Sequence, residues 1–186
     1  MPLNLPNLLT LLRLLAIPVF LVLLVNDRYP EALGLFIAAG VTDALDGAIA
    51  RLTHTKTTLG AYLDPAADKL LLLSSFIALG LMQQMPRWLV VIVLSRDAIV
   101  VLGYFLLFAM TQQAMEVRPS LFGKGATFFQ LTAVTLVLLS LVKTHPLLPS
   151  AERCVFYVAG LLTAAAGLQY VYRGLRWIPS EGGGER

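Results

Sequence analysis

Charge is scarce in this chain, and so are the side chains that usually carry polar chemistry. Asp, Glu, Lys and Arg make up 13% of the 186 residues, with one cysteine and two histidines. The single Cys154 excludes an intramolecular disulfide and reads as a small packing residue in an apolar span. His54 and His145 lie far apart and lack ligand spacing, so each reads as a solvated loop residue. No basic leader or small-residue cleavage site stands at the start, so the N-terminus does not read as a cleavable signal. Sustained alternation of apolar and polar residues is missing too, which argues against membrane-spanning strands. There is no internal repeat.

What the chain has is oil. Hydrophobic residues make up 58% of it, and its mean hydropathy is +0.77. They fall into six runs, approximately 8–25, 32–51, 66–84, 88–110, 121–142 and 153–174, each near the roughly 20 residues that span a bilayer. The expected fold is an all-α integral membrane protein with six transmembrane helices in one domain, residues 1–178. A short N-terminal interfacial segment precedes Pro6, and the glycine-rich stretch 179–186 reads as a disordered tail. Tyr29, Trp88 and Trp177 stand at run ends, as interfacial aromatics do. The net charge of +3 does not point to nucleic acid. Basic residues gather at run ends, where anionic headgroups lie. With the N-terminus in the cytoplasm, the inner connections and tail hold Arg51, Lys56, Lys69, Arg118, Lys124, Arg173, Arg176 and Arg186. The outer ones hold only Arg28, Arg87, Lys143 and Arg153. The bias predicts a multi-pass protein of the cell inner (cytoplasmic) membrane with both termini inside.

Against this background four of the eleven acidic residues crowd into one segment, Asp43, Asp46, Asp64 and Asp68. A carboxylate at membrane depth costs a few kcal/mol or more, so the group needs a reason. Asp43 and Asp46 are three apart; Gly60, Asp64 and Asp68 follow one another at steps of four. On helices such spacings put each acidic pair on one face. Two such faces turned toward each other make an oxygen-rich cage for hard divalent cations such as Mg²⁺ or Mn²⁺. Gly47 and Ala50 share the face of Asp43 and leave room beside the backbone for a flat ligand such as a nucleobase or ribose. Gly60 does the same on the other helix, and Arg51 is placed to pair with a phosphate. The plainer reading of the aspartates is helix capping, or pairing with Arg51 and Lys69.

Written out, Asp43-x-x-Asp46-Gly47-x-x-Ala50-Arg51, eight residues, Gly60, three residues, Asp64, three residues, Asp68 is the full signature of the CDP-alcohol phosphatidyltransferases, which this chain resembles over nearly its whole length. The resemblance implies six transmembrane helices with the motif across the second and third. It implies two divalent cations held by Asp43, Asp46, Asp64 and Asp68, with Asp68 also the general base. Gly47, Ala50, Arg51 and Gly60 would then line the cytidine nucleotide site. Leu5 to Arg13 resembles the opening of bacterial phosphatidylglycerophosphate synthases. Asn7 and Thr10, one turn apart there, either reach the nucleotide or, for Asn7, cap the helix. Arg13 reads as a snorkelling side chain.

A second polar set lies downstream. Arg96 and Asp97 fall inside the fourth run, and Arg118 and Lys124 flank the start of the fifth. Arg96, Arg118 and Lys124 form a candidate site for an acceptor phosphate; the alternative is an internal Arg96–Asp97 network with ordinary loop charges. Gly123-Lys124-x-x-Thr127-x-x-Gln130 resembles phosphatidylglycerophosphate synthases, whereas Ser95-Arg96-Asp97 looks more like the eukaryotic-type cardiolipin synthases of the same family. Gly160, Ala164 and Gly167 give a small-residue face, either for another copy or for a helix of the same chain.

The expected activity is transfer of a phosphatidyl group from CDP-diacylglycerol to glycerol 3-phosphate, giving phosphatidylglycerophosphate and CMP. Phosphatidylglycerol as acceptor, giving cardiolipin, is the nearest alternative; inositol phosphate, serine or another alcohol, making it another CDP-alcohol phosphotransferase, stays open. Membrane lipids and a homodimer complete the expected partners. A cation transporter is the rival from another class, but it would spread acids along the membrane depth rather than cluster them at one end of two helices.

Overall fold

The computed structural model describes residues 5–53, 58–111, 121–143 and 145–177. Their side chains are described except at 5–10, 43–68, 107–108, 110–111 and 175–177. The N-terminal interfacial segment and the tail 179–186 lie outside the described residues. Six helices follow in order: α1 Leu5–Val25, α2 Tyr29–Thr53, α3 Thr58–Leu81, α4 Arg87–Thr111, α5 Leu121–Val142 and α6 Leu148–Trp177. The expected all-α architecture and its helix order stand.

Boundaries differ where polar residues are helical. α3 starts at Thr58, ahead of the apolar run, because the stretch carrying Gly60, Asp64 and Asp68 continues the same helix. α6 starts at Leu148, with Pro149 in its first turn, where a missing N–H costs nothing. α1 and α3 end on left-handed residues that are not glycine, Asp27 (φ 57°) and Gln83 (φ 59°). In both, the amide after the left-handed residue reaches back to close the last turn. Arg28 N donates to Leu23 O at 2.9 Å, and Gln84 N donates to Leu79 O at 2.9 Å. At the first of these turns the Arg28 guanidinium pairs with Glu31 and holds its carboxyl below the usual range.

α5 packs on α6 most extensively, α6 also packs on α4, and α1 packs on both α3 and α2. α2 meets α5, which joins the two halves. One continuous core draws on all six helices, including Phe20, Phe36, Phe76, Leu89, Val134 and Phe156. The outer surface is apolar as well: Leu102, Phe105, Phe128, Leu161 and Leu168 are each more than 60% exposed. Helices that are apolar on the core side and the outer side alike belong in lipid. Among the described residues α4, α5 and α6 each contain a stretch long and apolar enough to cross a membrane. α1 and α3 contribute shorter apolar stretches, Leu11–Val25 and Lys69–Leu81.

Two readings from sequence change, and one left open is decided. Cys154 lies on α6 but is exposed, so it is not a packing residue. Arg13 is buried rather than snorkelling, because α1 sits against two other helices. The small-residue face of α6 is an intramolecular contact. A Cβ on Gly160 would lie 2.5 Å from Trp88 Cζ3, and one on Gly167 would lie 3.4 Å from Arg96 Cγ, both on α4. Ala164 is exposed and takes no part in it. Trp88 is therefore more than an interfacial belt residue: its ring stacks on Tyr157 of α6 at 5.5 Å.

Candidate active site

The motif occupies two helix ends. Asp43, Asp46, Gly47, Ala50 and Arg51 lie in the C-terminal part of α2, and Gly60, Asp64 and Asp68 in the N-terminal half of α3. Both stretches are helical throughout, so the three- and four-residue spacings put each acidic pair on one helix face. Only residues 54–57 separate the two helices, so Thr53 and Thr58 can be no more than about 18 Å apart. Covalent geometry thus keeps both acidic stretches at one end of the bundle. Asn7 and Thr10 lie in the first turns of α1. The side chains of all these residues, and Arg118 entirely, lie outside the described residues.

The next residue after Asp68 begins the part of α3 whose side chains are described. Lys69 Nζ lies 2.9 Å from Asp97 Oδ1, which bridges α3 to α4. Arg96 Nη1 donates to the same oxygen at 2.8 Å. Asp97 and Arg96 are mostly covered, at 15% and 19% side-chain exposure, while Lys69 is partly open at 41%. One carboxylate faces two cations, so the cluster keeps one net positive charge. Arg96 Nε is buried and has no hydrogen-bond partner among the described residues. Its aliphatic stem packs where Gly167 lets α6 come close. The internal Arg96–Asp97 contact, the alternative offered by the sequence, exists, and its anchor is Lys69. By sequence alone Lys69 is a loop charge or a partner of the aspartates. Its pairing with Asp97 joins residues from different helices, and no local spacing signals it.

The Gly123–Gln130 pattern divides on folding. Lys124 is exposed in the first turn of α5, and among the described residues it forms no ion pair with the Asp97 cluster. Thr127 Oγ1 donates to Gly123 O at 3.1 Å within its own helix. Gln130 is buried and donates through Nε2 to Thr163 Oγ1 at 2.8 Å, and Thr163 donates in turn to Ala159 O at 2.6 Å. This chain of bonds fastens α5 to α6 and leaves Gln130 no role on the face of Lys124. His145 is exposed, and its Nδ1 accepts from the Leu147 amide, as a loop histidine does. Among the described residues no three His, Cys, Asp or Glu side chains gather as metal ligands.

Known proteins resemble this chain in sequence along most of its length. The family model described as CDP-alcohol phosphatidyltransferase matches residues 3–168. A probable phosphatidylglycerophosphate synthase of Mycobacterium tuberculosis is 38% identical over 181 residues, covering 94% of this chain and 83% of its own length. The CDP-diacylglycerol–glycerol-3-phosphate 3-phosphatidyltransferase of Bacillus subtilis is 32% identical over 182 residues, covering 90% of this chain and 93% of its own. A cardiolipin synthase (CMP-forming) of Streptomyces coelicolor is 35% identical over 144 residues, covering 74% and 66%. The similarity starts in α1 and runs into α6, well beyond the two helix ends that carry the motif, and so the chain belongs to the CDP-alcohol phosphatidyltransferase family and is an enzyme of that kind.

Proposed function

We propose that this enzyme transfers a phosphatidyl group from CDP-diacylglycerol to glycerol 3-phosphate, releasing CMP and phosphatidylglycerophosphate. The observation that carries the acceptor is likeness over nine tenths of the chain to proteins named for that reaction. A cluster of two cations on one carboxylate, reached from α3 by the residue after Asp68, supports it.

Asp43, Asp46, Asp64 and Asp68 suit hard divalent cations, being four carboxylates and no soft ligands, two on each of two successive helices. When bound, two such ions supply charge neutralisation at the diphosphate and at the departing phosphate oxygen. Gly47, Ala50 and Gly60 leave space for the cytidine nucleotide, with Arg51, Asn7 and Thr10 as its polar contacts. The acceptor hydroxyl attacks the phosphorus that bears the diacylglycerol. The bond from that phosphorus to the bridging oxygen breaks, and CMP leaves with the electron pair. Asp68 takes the hydroxyl proton. Arg96, Arg118 and Lys124 hold the acceptor's phosphate. The site opens to the cytoplasm of a six-span protein of the cytoplasmic membrane, with residues 1–178 as its one domain, both termini inside, and two copies per assembly.

Purified protein in lipid-containing micelles, given CDP-diacylglycerol, should release CMP with glycerol 3-phosphate. A chelator should stop the release, and Mg²⁺ or Mn²⁺ should restore it. Release with phosphatidylglycerol and none with glycerol 3-phosphate would make the enzyme a cardiolipin synthase, the reading favoured by Ser95-Arg96-Asp97 and the Streptomyces relative.

A further inference from the structure

Asp97 is the one described carboxylate that meets cations from two helices. Residues i and i+1 of a helix do not face one another, so the Arg96–Asp97 contact is not a default helical pairing. It forms because Asp97 is held from across the interface by Lys69. The contact is also economical. Asp97 engages the guanidinium through one oxygen and one nitrogen, Nη1 at 2.8 Å, and that oxygen is the one Lys69 meets. A fork-to-fork pair would commit two nitrogens to the carboxylate; here Nε is buried with no hydrogen-bond partner among the described residues, and the other donors stay uncommitted to Asp97. The guanidinium is aimed but not used up. Gly167 supplies the other wall by admitting the Arg96 stem against α6.

We propose that Asp97 is a positioning residue for the acceptor half of the site: braced by Lys69 on α3, it sets the direction of Arg96 on α4, so that the remaining guanidinium donors meet the phosphate of the acceptor. This rests on the reading that Arg96 binds that phosphate. It adds that the brace starts at the residue following Asp68, so the helix that carries the reaction's base also orients the acceptor's cation. Removing the Asp97 charge while keeping its shape leaves Arg96 directed by packing alone.

The test is steady-state CMP release by the full-length protein, varying glycerol 3-phosphate and CDP-diacylglycerol separately. Asp97→Asn should raise KM for glycerol 3-phosphate on the order of 30-fold, the size that follows from breaking a covered charge pair. KM for CDP-diacylglycerol should stay within about twofold of wild type, because uncoupled sites do not shift together. Lys69→Met should shift the same KM in the same direction, and Asp97→Asn/Lys69→Met should be no worse than the worse single variant. Asp97→Glu should recover most of the affinity. Equal rises in both KM values, a fall in kcat alone, or additive single effects would reduce Asp97 to a strut and overturn the proposal. Should Asp97→Asn fail to fold, Lys69→Met alone decides, through the same separation of KM values. Arg96→Gln separates this idea from its foundation. If it leaves the glycerol 3-phosphate KM unchanged, the phosphate role of Arg96 fails and the positioning role with it. If it raises that KM while Asp97→Asn and Lys69→Met do not, only the positioning role fails.

Discussion

The two halves of this molecule handle polar groups in opposite ways. In α5, and where α5 meets α6, the described hydroxyl and amide side chains are bonded within the protein. Gln130 and Thr163 satisfy each other across α5 and α6, Thr132 and Thr135 donate to carbonyls of their own helix, and Ser140 does likewise. In α2 and α3 the polar groups instead bunch at the adjoining ends of the two helices as four carboxylates with no equal number of cations among their sequence neighbours. Hydrogen bonds among neutral groups in a membrane contribute little individually, but they satisfy the groups that make them; Gln169 Oε1 and Tyr170 Oη on α6 are the buried exceptions among the described residues. Four like charges close together destabilise themselves unless something of opposite charge joins them. The first half binds most of its polar groups to itself; the second concentrates like charges that, under the proposed function, divalent cations offset. Asp97, Lys69 and Arg96 mark the seam between them.

That contrast can be tested by damaging each side. The largest effect belongs to the motif. Asp68→Asn should cut turnover by about 10² to 10⁴-fold while leaving the thermal unfolding of the apo-protein in detergent unchanged or slightly raised, since it removes a charge from a crowded cluster. Near-wild-type turnover would remove Asp68 from the role of base. On the scaffold side the order reverses, with stability falling before chemistry. Gly160→Leu puts a side chain where even a Cβ would lie 2.5 Å from Trp88 Cζ3, against a ring stacked on Tyr157. It should destabilise by about 1–3 kcal/mol, read as an earlier unfolding midpoint, with the KM values of the surviving enzyme close to wild type. If those KM values moved instead, the scaffold would not be separable from the site.

Smaller effects sharpen the picture. Gln130→Leu should cost about 0.6 kcal/mol, since Thr163 keeps its bond to Ala159 O when its partner is lost. A larger loss, or a specific rise in the acceptor's KM, would return Gln130 to the site. Gln83→Gly should raise stability by a few tenths of a kcal/mol to about 1. It relieves a left-handed residue at φ 59°, partly offset by the greater freedom of glycine in the unfolded chain. An unchanged midpoint would mean that the turn after α3 opens before the bundle does.

Much of this was legible before any coordinates. The six apolar runs set the helix order, because a helix in lipid must satisfy its own backbone and so announces itself by length and hydropathy. The ends were less legible. The start of α3 was hidden because its first turns carry Gly60 and Asp64 and do not look like a span. The ends of α1 and α3 were hidden because Asp27 and Gln83 take the left-handed conformation usually signalled by glycine. Cys154 and Arg13 went the wrong way for a common reason. In a membrane protein both surfaces of a helix are apolar, so hydropathy does not say which side faces neighbours and which faces lipid.

The reaction class followed from sequence through the family signature, whose residues are local. Asp43, Asp46, Gly47, Ala50 and Arg51 share one helix, Gly60, Asp64 and Asp68 share the next, and helical periodicity alone sorts each set onto a face. Tertiary structure decided everything that joins one helix to another. It paired Lys69 with Asp97, turned Gln130 toward Thr163, and set Gly160 under Trp88 and Gly167 beside Arg96. These partners lie on different helices, and only the packing of nearly featureless apolar surfaces brings them within bonding distance.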